Sequence, residues 1–251
     1  MARITTTLGE ASPPEIDPQE VAAFFADRAR RMDEVGPTRA VIYQDKQGDL
    51  AERRDAAEVE RIMPILRLDG HQALLDVGCG TGRWSRRLVP HLARYHGIDS
   101  TDGLLAHARD QHRDDTNCRF THLHAEQLSA ALLGEADFDR VLCAGICMYL
   151  NDAQLTMLFN AIGDVTTTGA LVLLREPVSV DSRLTLKAHF SAELEHDYHA
   201  IYRSAPEFIA LLQPTLIEAG FRLVGDGDVY AQDGLNNRAE TRQRWFLLER
   251  A

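Results

Sequence analysis

The densest chemistry in the chain lies between Leu74 and Trp84. An apolar run, Leu74-Leu75-Asp76-Val77, ends there in Gly78-Cys79-Gly80-Thr81-Gly82, followed by Arg83-Trp84. Glycines in such a turn take up positive φ and let a ligand approach the backbone with no Cβ in the way. A helix opening behind the turn adds free N–H groups and a positive dipole end. A phosphate-cradling loop requires Gly-Lys-Ser/Thr after four spacer residues, and no such lysine is present. A dinucleotide fingerprint would place its third glycine at Arg83, whereas the glycine stands at Gly82. What remains is Asp-x-Gly-x-Gly-x-Gly, in which Asp76 can accept hydrogen bonds from a cationic amine but would repel a pyrophosphate. A second strand, Arg94-Tyr95-His96-Gly97-Ile98-Asp99, also ends in a carboxylate, one placed to take both hydroxyls of a ribose. Without a ligand, the same residues read as a tight strand–helix turn and a carboxylate favoured by a helix N-terminus.

These segments, together with Phe138-Asp139-Arg140-Val141-Leu142-Cys143, resemble the class I, Rossmann-like S-adenosylmethionine-dependent methyltransferases of small-molecule type, over about residues 72–175. The resemblance implies S-adenosyl-L-methionine as cofactor and S-adenosyl-L-homocysteine as product. It implies that Gly78, Cys79 and Gly80 line the methionine part, with Asp76 beside them. Asp99 would hold the ribose next to Ser100, Leu104 would pack on the adenine, and Cys143 and Ala144 would offer backbone carbonyls near the amino group. The family often has an acidic residue before Ala-Glu at the adenine amine. Here His124 precedes Ala125-Glu126, so these three are named as neighbours of the adenine.

Methyl transfer is an in-line displacement at an activated methyl group, so positioning does most of the work. A base helps when the nucleophile is a hydroxyl. His189 and Glu176 are the candidate bases, and Tyr149 is a candidate for catalysis or substrate contact. Arg175, Tyr198, Tyr202, Arg203, Asn237 and Arg238 are candidates for gripping the acceptor. Each has a plainer alternative: Arg175 and Glu176 can pair with each other, Tyr149 can pack, and the other charged groups can pair with local carboxylates. No ligand set for a metal is expected. Cys79, Cys118, Cys143 and Cys147 form no C-x-x-C pair, and no histidine cluster accompanies Cys143 and Cys147.

The elements that must position these groups follow a βαβ grammar from Ala73 onward. Strands are expected at 73–77, 94–98, 118–122, 138–143 and 169–175, with helices near 82–92, 102–113, 126–133 and 152–163. Runs at 221–230 and 242–249 are spaced for a closing antiparallel hairpin. The expected fold is therefore α/β: a three-layer sandwich around a seven-stranded, mostly parallel sheet with an antiparallel last hairpin. Residues 1–17 read as a flexible arm and 18–70 as an N-terminal helical cap. Residues 71–251 read as the core, including a 177–204 lid insertion after strand five. In that insertion a helix from Ser191 to Tyr202 would align Glu195, Tyr198 and Tyr202.

Composition narrows the partners. The 251 residues carry a formal net charge of −11, with 45% hydrophobic and 26% charged residues, which excludes a disordered chain. No basic stripe for nucleic acid is visible. Lys46 and Lys187 are the only lysines, so arginine, the better fork for carboxylate or phosphate, dominates the basic residues. With no apolar leader at the N-terminus and no membrane-length apolar run, the expected setting is cytoplasmic, and the expected acceptor a sugar, an amino-acid-like compound or a secondary-metabolite intermediate. A tRNA or protein acceptor is the alternative, with a nicotinamide-dependent oxidoreductase behind it. Oligomeric state is not legible.

Overall fold

The computed structural model describes residues 2–6, 13–41, 49–191, 196–236 and 238–251. The chain opens with strand β1 (Ala2–Thr6), followed by helices α1 (Pro18–Arg30), α2 (Met32–Val35), α3 (Pro37–Val41) and α4 (Leu50–Ile62). Asp17 caps α1 by accepting the Gln19 N–H, with Pro18 at the first helical position, where a missing N–H costs nothing.

The expected alternation then runs through β2 (Ala73–Val77), α5 (Ser85–Leu88), β3 (Arg94–Asp99), α6 (Asp102–Gln111) and β4 (Cys118–His122). It continues through α7 (Ala130–Leu133), β5 (Phe138–Ala144), α8 (Asp152–Val165) and β6 (Thr166–Ser179). Hairpin strands β7 (Arg183–Ser191) and β8 (His196–Tyr202) interrupt it before α9 (Ala205–Leu212), β9 (Phe221–Asp228) and β10 (Thr241–Arg250).

Seven strands form one sheet in the order β4-β3-β2-β5-β6-β10-β9. The β2–β3, β3–β4, β2–β5 and β5–β6 pairs are parallel, and β10 runs antiparallel to both β6 and β9. Because strand side chains alternate in direction, the sheet buries two apolar faces. Leu75, Val77, Val141 and Val172 pack beneath α8 and α9 through Leu158, Phe159 and Phe208. Leu74, Tyr95, Leu142 and Leu173 pack on the opposite face against Ile62, Leu66, Trp84 and Leu88. This is the expected three-layer sandwich. Among the described residues no helix is long and apolar enough to cross a membrane, and no group of histidine, cysteine and acidic residues is arranged to hold a metal.

Two regions differ from the sequence reading. Residues 2–6 are not a loose arm: β1 pairs antiparallel with β7, which itself pairs with β8, giving a separate three-stranded sheet. The insertion expected as a helix from Ser191 to Tyr202 is instead the β7–β8 hairpin, and residues 192–195, including Glu193 and Glu195, lie outside the described residues. The apolar period there is two: Leu184 and Leu186 on β7, and Tyr198, Ala200 and Tyr202 on β8, share a cluster with Phe24, Met148 and Tyr149. This small sheet and α1 roof the carboxyl ends of the main strands.

Candidate active site

The glycine loop is built by the strand ends on either side of it. Gly78 and Cys79 donate backbone hydrogen bonds to Ile98 O, at 2.8 and 3.0 Å. Gly78 has φ +75°, and a methyl group on its Cα would collide with Ile146 Cγ2. Asp99 Oδ2 accepts the Gly80 N–H at 2.9 Å, and its Oδ1 accepts the Thr101 N–H at 2.8 Å. Each oxygen keeps further acceptor capacity. Burial pushes the Asp99 carboxyl up, against the pull of those two N–H groups.

Two cavities open on this loop. The larger, about 330 Å³, is lined by Asp99, Ser100 and Leu104 after β3, His124, Ala125 and Glu126 after β4, and Phe25 and Tyr149 above them. The smaller, about 90 Å³, is lined by Cys79, Arg83, Trp84, Arg175, Tyr198, Tyr202 and Tyr230 among others. Both share Val41, Gly78, Gly80, Ala144 and Gly145, so they meet along the glycine loop.

A buried ion cluster walls the smaller cavity. Arg83 donates to Asp55 Oδ1 at 2.8 Å and to Glu58 Oε1 at 2.7 Å. Arg175 pairs with the other Glu58 oxygen and Arg87 with Asp55 Oδ2. Burial alone would raise the Glu58 carboxyl, but Arg175 and Arg83 outweigh it and hold the group below the usual carboxylate range. Above, the Tyr149 hydroxyl lies 3.1 Å from that of Tyr198, which lies 3.4 Å from that of Tyr202, a line of hydroxyls running from one cavity to the other.

This architecture has known relatives. Residues 74–169 match the family described as "Methyltransferase domain". A ubiquinone biosynthesis O-methyltransferase from Ruegeria pomeroyi is 29% identical over 57% of this chain and 57% of its own length. Among solved structures, the phosphoethanolamine N-methyltransferase 1 of Haemonchus contortus superposes with a TM-score of 0.69 at 16% identity, over 90% of this chain and 48% of that one. The cyclase SpnF superposes at 0.66 and 18% identity, over 96% and 99%. The chain thus spans about half the length of the first two relatives.

Residues 74–169 thus resemble a methyltransferase domain.

Of the cofactor residues expected on the methyltransferase loop, Gly78, Cys79, Gly80, Asp99, Ser100, Leu104, His124, Ala125, Glu126 and Ala144 line the cavities. Two do not. Cys143 is fully buried in β5, paired with Val77 inside the sheet and packed in the core. Asp76 is also buried, and its Oδ2 accepts the Tyr95 hydroxyl at 2.6 Å. Burial raises the Asp76 carboxyl to about 7 despite that hydrogen bond. The folded protein therefore binds a proton here that the unfolded chain releases near its ordinary value, and stability falls as pH rises from about 4 to about 7. Asp76→Asn should flatten that part of a pH–stability profile measured by urea unfolding.

The expected bases are placed elsewhere. Glu176 Oε1 accepts three successive backbone N–H groups, from Gly145, Ile146 and Cys147, at 3.0–3.1 Å, and so fixes the loop after β5. It lines neither cavity, and neither does His189 on β7. Arg203 is a buried strut, donating to Asp152, Cys147 O and Leu150 O. Arg238 lines neither cavity, and Asn237 lies outside the described residues. Tyr149, Arg175, Tyr198 and Tyr202 do reach the cavities. Sequence reasoning missed Arg83, Trp84 and Gln243 as cavity residues. The signal available was the pair Arg83-Trp84 directly behind the third glycine.

Proposed function

We propose that the chain is an S-adenosyl-L-methionine-dependent methyltransferase acting on an O or N nucleophile of a small polar metabolite. The carrying observation is the meeting of two cavities at Gly78, Gly80 and Gly145, one with the chemistry of an adenosine site and one enclosed by tyrosines and arginines. When bound, the cofactor supplies a methyl group already activated on a sulfonium. The chain's residues then have four tasks. Asp99 accepts the ribose hydroxyls, Leu104 packs on the adenine beside Ala125, and Gly78 and Gly80 admit the sulfur end along bare backbone. Tyr198 and Tyr202 hold the acceptor beneath the small sheet, which keeps water out.

The described residues lining the acceptor cavity include no aspartate, glutamate or histidine. Catalysis on this reading rests on orientation, worth up to about 7–11 kcal/mol in well-aligned systems, with tyrosine hydroxyls as the nearest proton carriers. The roofed, small cavity favours a metabolite over a nucleic acid. All four cysteines are free thiols, which fits a reducing compartment such as the cytoplasm.

Thermal unfolding with S-adenosylhomocysteine, NAD or NADP tests the reading. A ligand at 100 times its Kd adds about 2.7 kcal/mol, and only S-adenosylhomocysteine should do so. Asp99→Ala should weaken S-adenosylhomocysteine at least tenfold, about 1.4 kcal/mol, by titration calorimetry; unchanged affinity would remove the ribose assignment.

A further inference from the structure

We propose that the methyl acceptor is an anion, carrying a carboxylate or phosphate group that the Arg175 guanidinium receives at the junction of the two cavities. The inference rests on the methyltransferase reading above and goes further by fixing the charge class of the substrate.

Position comes first. Arg175 lies in the middle of the buried run of β6, lines the acceptor cavity, and passes so close to Gly145 that a Cβ there would lie 3.2 Å from Arg175 Nη1. Gly145 lines both cavities, so the guanidinium stands at the point where donor and acceptor meet.

Unmet hydrogen bonding comes second. Arg175 Nε–H and Trp84 Nε1–H are buried donors with no partner, and Gln243 Oε1 is a buried atom in the same condition. All three side chains line this one cavity and are 3–8% exposed. Buried donors without partners are rare and costly. Their concentration around one cavity marks a place where a ligand completes the set. Two N–H donors with tyrosine hydroxyls from Tyr198, Tyr202 and Tyr230 make a donor-rich wall, which is what an oxyanion requires.

Charge comes third. The ion cluster holds Arg83, Arg87 and Arg175 against Asp55 and Glu58, and Glu176 stands near Arg175 with its carboxyl pushed up by burial, toward the neutral form. Arg54 lines the cavity as well. A cofactor with a sulfonium, an ammonium and one carboxylate brings a net positive charge. Confining it beside these guanidinium groups in a site of low dielectric is costly unless a negative partner enters. A neutral or cationic acceptor leaves that charge standing, and an anionic one offsets it.

The alternative role for the same arginine is to receive the cofactor's own carboxylate, and the experiment separates the two. Protein saturated with S-adenosylhomocysteine is titrated with 3-hydroxybutyrate and glycerol 3-phosphate, and with 3-hydroxybutyramide, glycerol and ethanolamine, at constant ionic strength, with thermal unfolding as the readout. At least one anion should stabilise saturably, and the neutral and cationic compounds should not. Arg175→Lys keeps a charge beside Glu58 but removes the planar fork and Nε–H. It should weaken the anion at least tenfold and leave S-adenosylhomocysteine affinity within twofold. Trp84→Phe, which leaves the ion cluster intact, should weaken the anion in the same direction. Stabilisation by no anion, or equal stabilisation by amide and acid, overturns the proposal. A loss of S-adenosylhomocysteine affinity in Arg175→Lys matching the loss of anion also overturns it, by assigning the arginine to the cofactor. Failure of the wild-type protein to bind S-adenosylhomocysteine at all would instead strike the methyltransferase reading.

Discussion

Glu58→Ala is expected to cost about 3–5 kcal/mol of folding stability, the usual consequence of removing one partner from a buried ion pair. Glu58 is fully buried and, among the described residues, is the one carboxylate that pairs with both Arg83 and Arg175. Its loss leaves two guanidinium groups in the interior with Asp55 alone to answer Arg83 and Arg87. Urea unfolding should show the midpoint falling with little change in slope. Glu58→Gln, which keeps the shape and the acceptor oxygen but not the charge, should recover only part of the loss. A fall below about 1 kcal/mol in the alanine variant would mean that the arginines find water, and that the cluster is not the dry wall described here.

Gly78→Ala should abolish measurable turnover and weaken S-adenosylhomocysteine at least a hundredfold, about 2.7 kcal/mol. Two costs combine. At φ +75° a residue with a Cβ is strained by about 1–2 kcal/mol, and the added methyl meets Ile146 Cγ2 on the loop that Glu176 fixes. That loop cannot retreat without breaking the three N–H bonds to Glu176. Gly70→Ala separates the two costs: Gly70 also has positive φ, +95°, but nothing lies within 4 Å of its would-be Cβ. It should lose about 1 kcal/mol of stability and keep its cofactor affinity. Equal loss of affinity in both variants would mean that strain alone, rather than the crowded approach of loop to loop, governs the site.

The parallel half of the sheet was readable because its strands are short apolar runs set between helical periods. The expected 73–77 and 118–122 coincide with β2 and β4, and β3 and β5 differ by one residue. The lining of the larger cavity was readable for the same reason, since it follows strand ends that the pattern marks. The lining of the smaller cavity was not. Its wall comes from α4, whose buried face includes Arg54, Asp55 and Glu58. On a helix, charged residues at that spacing look like a solvated face, and only packing against Arg83 and Arg175 turns them inward. Glu176 misled in the opposite way: a charge ending a buried strand suggests chemistry, and the three backbone N–H groups that absorb it come from a turn whose geometry no residue type announces. In the insertion, Tyr198 and Tyr202 satisfy both a period of two and a spacing of four. The charged residues around them suggested a helix, while the pairing of β7 with β1 decided for strands.

That last pairing bears on how the protein assembles. Ala2 faces Lys187 and Thr6 faces Arg183, partners about 180 residues apart in the chain. Contacts so distant must bear the full entropy of closing the intervening loop before they return anything, and chains rich in them fold slowly. The small sheet therefore has no partner for its first strand until most of the chain has been made. On the ribosome, where domains emerge from the N-terminus onward at about 5–20 residues per second, β1 waits about ten seconds or more for β7. β1 thus stays unpaired until β7 emerges, while β9 and β10 are still to come, so the roof over the smaller cavity can close before the last two strands of the main sheet are in place.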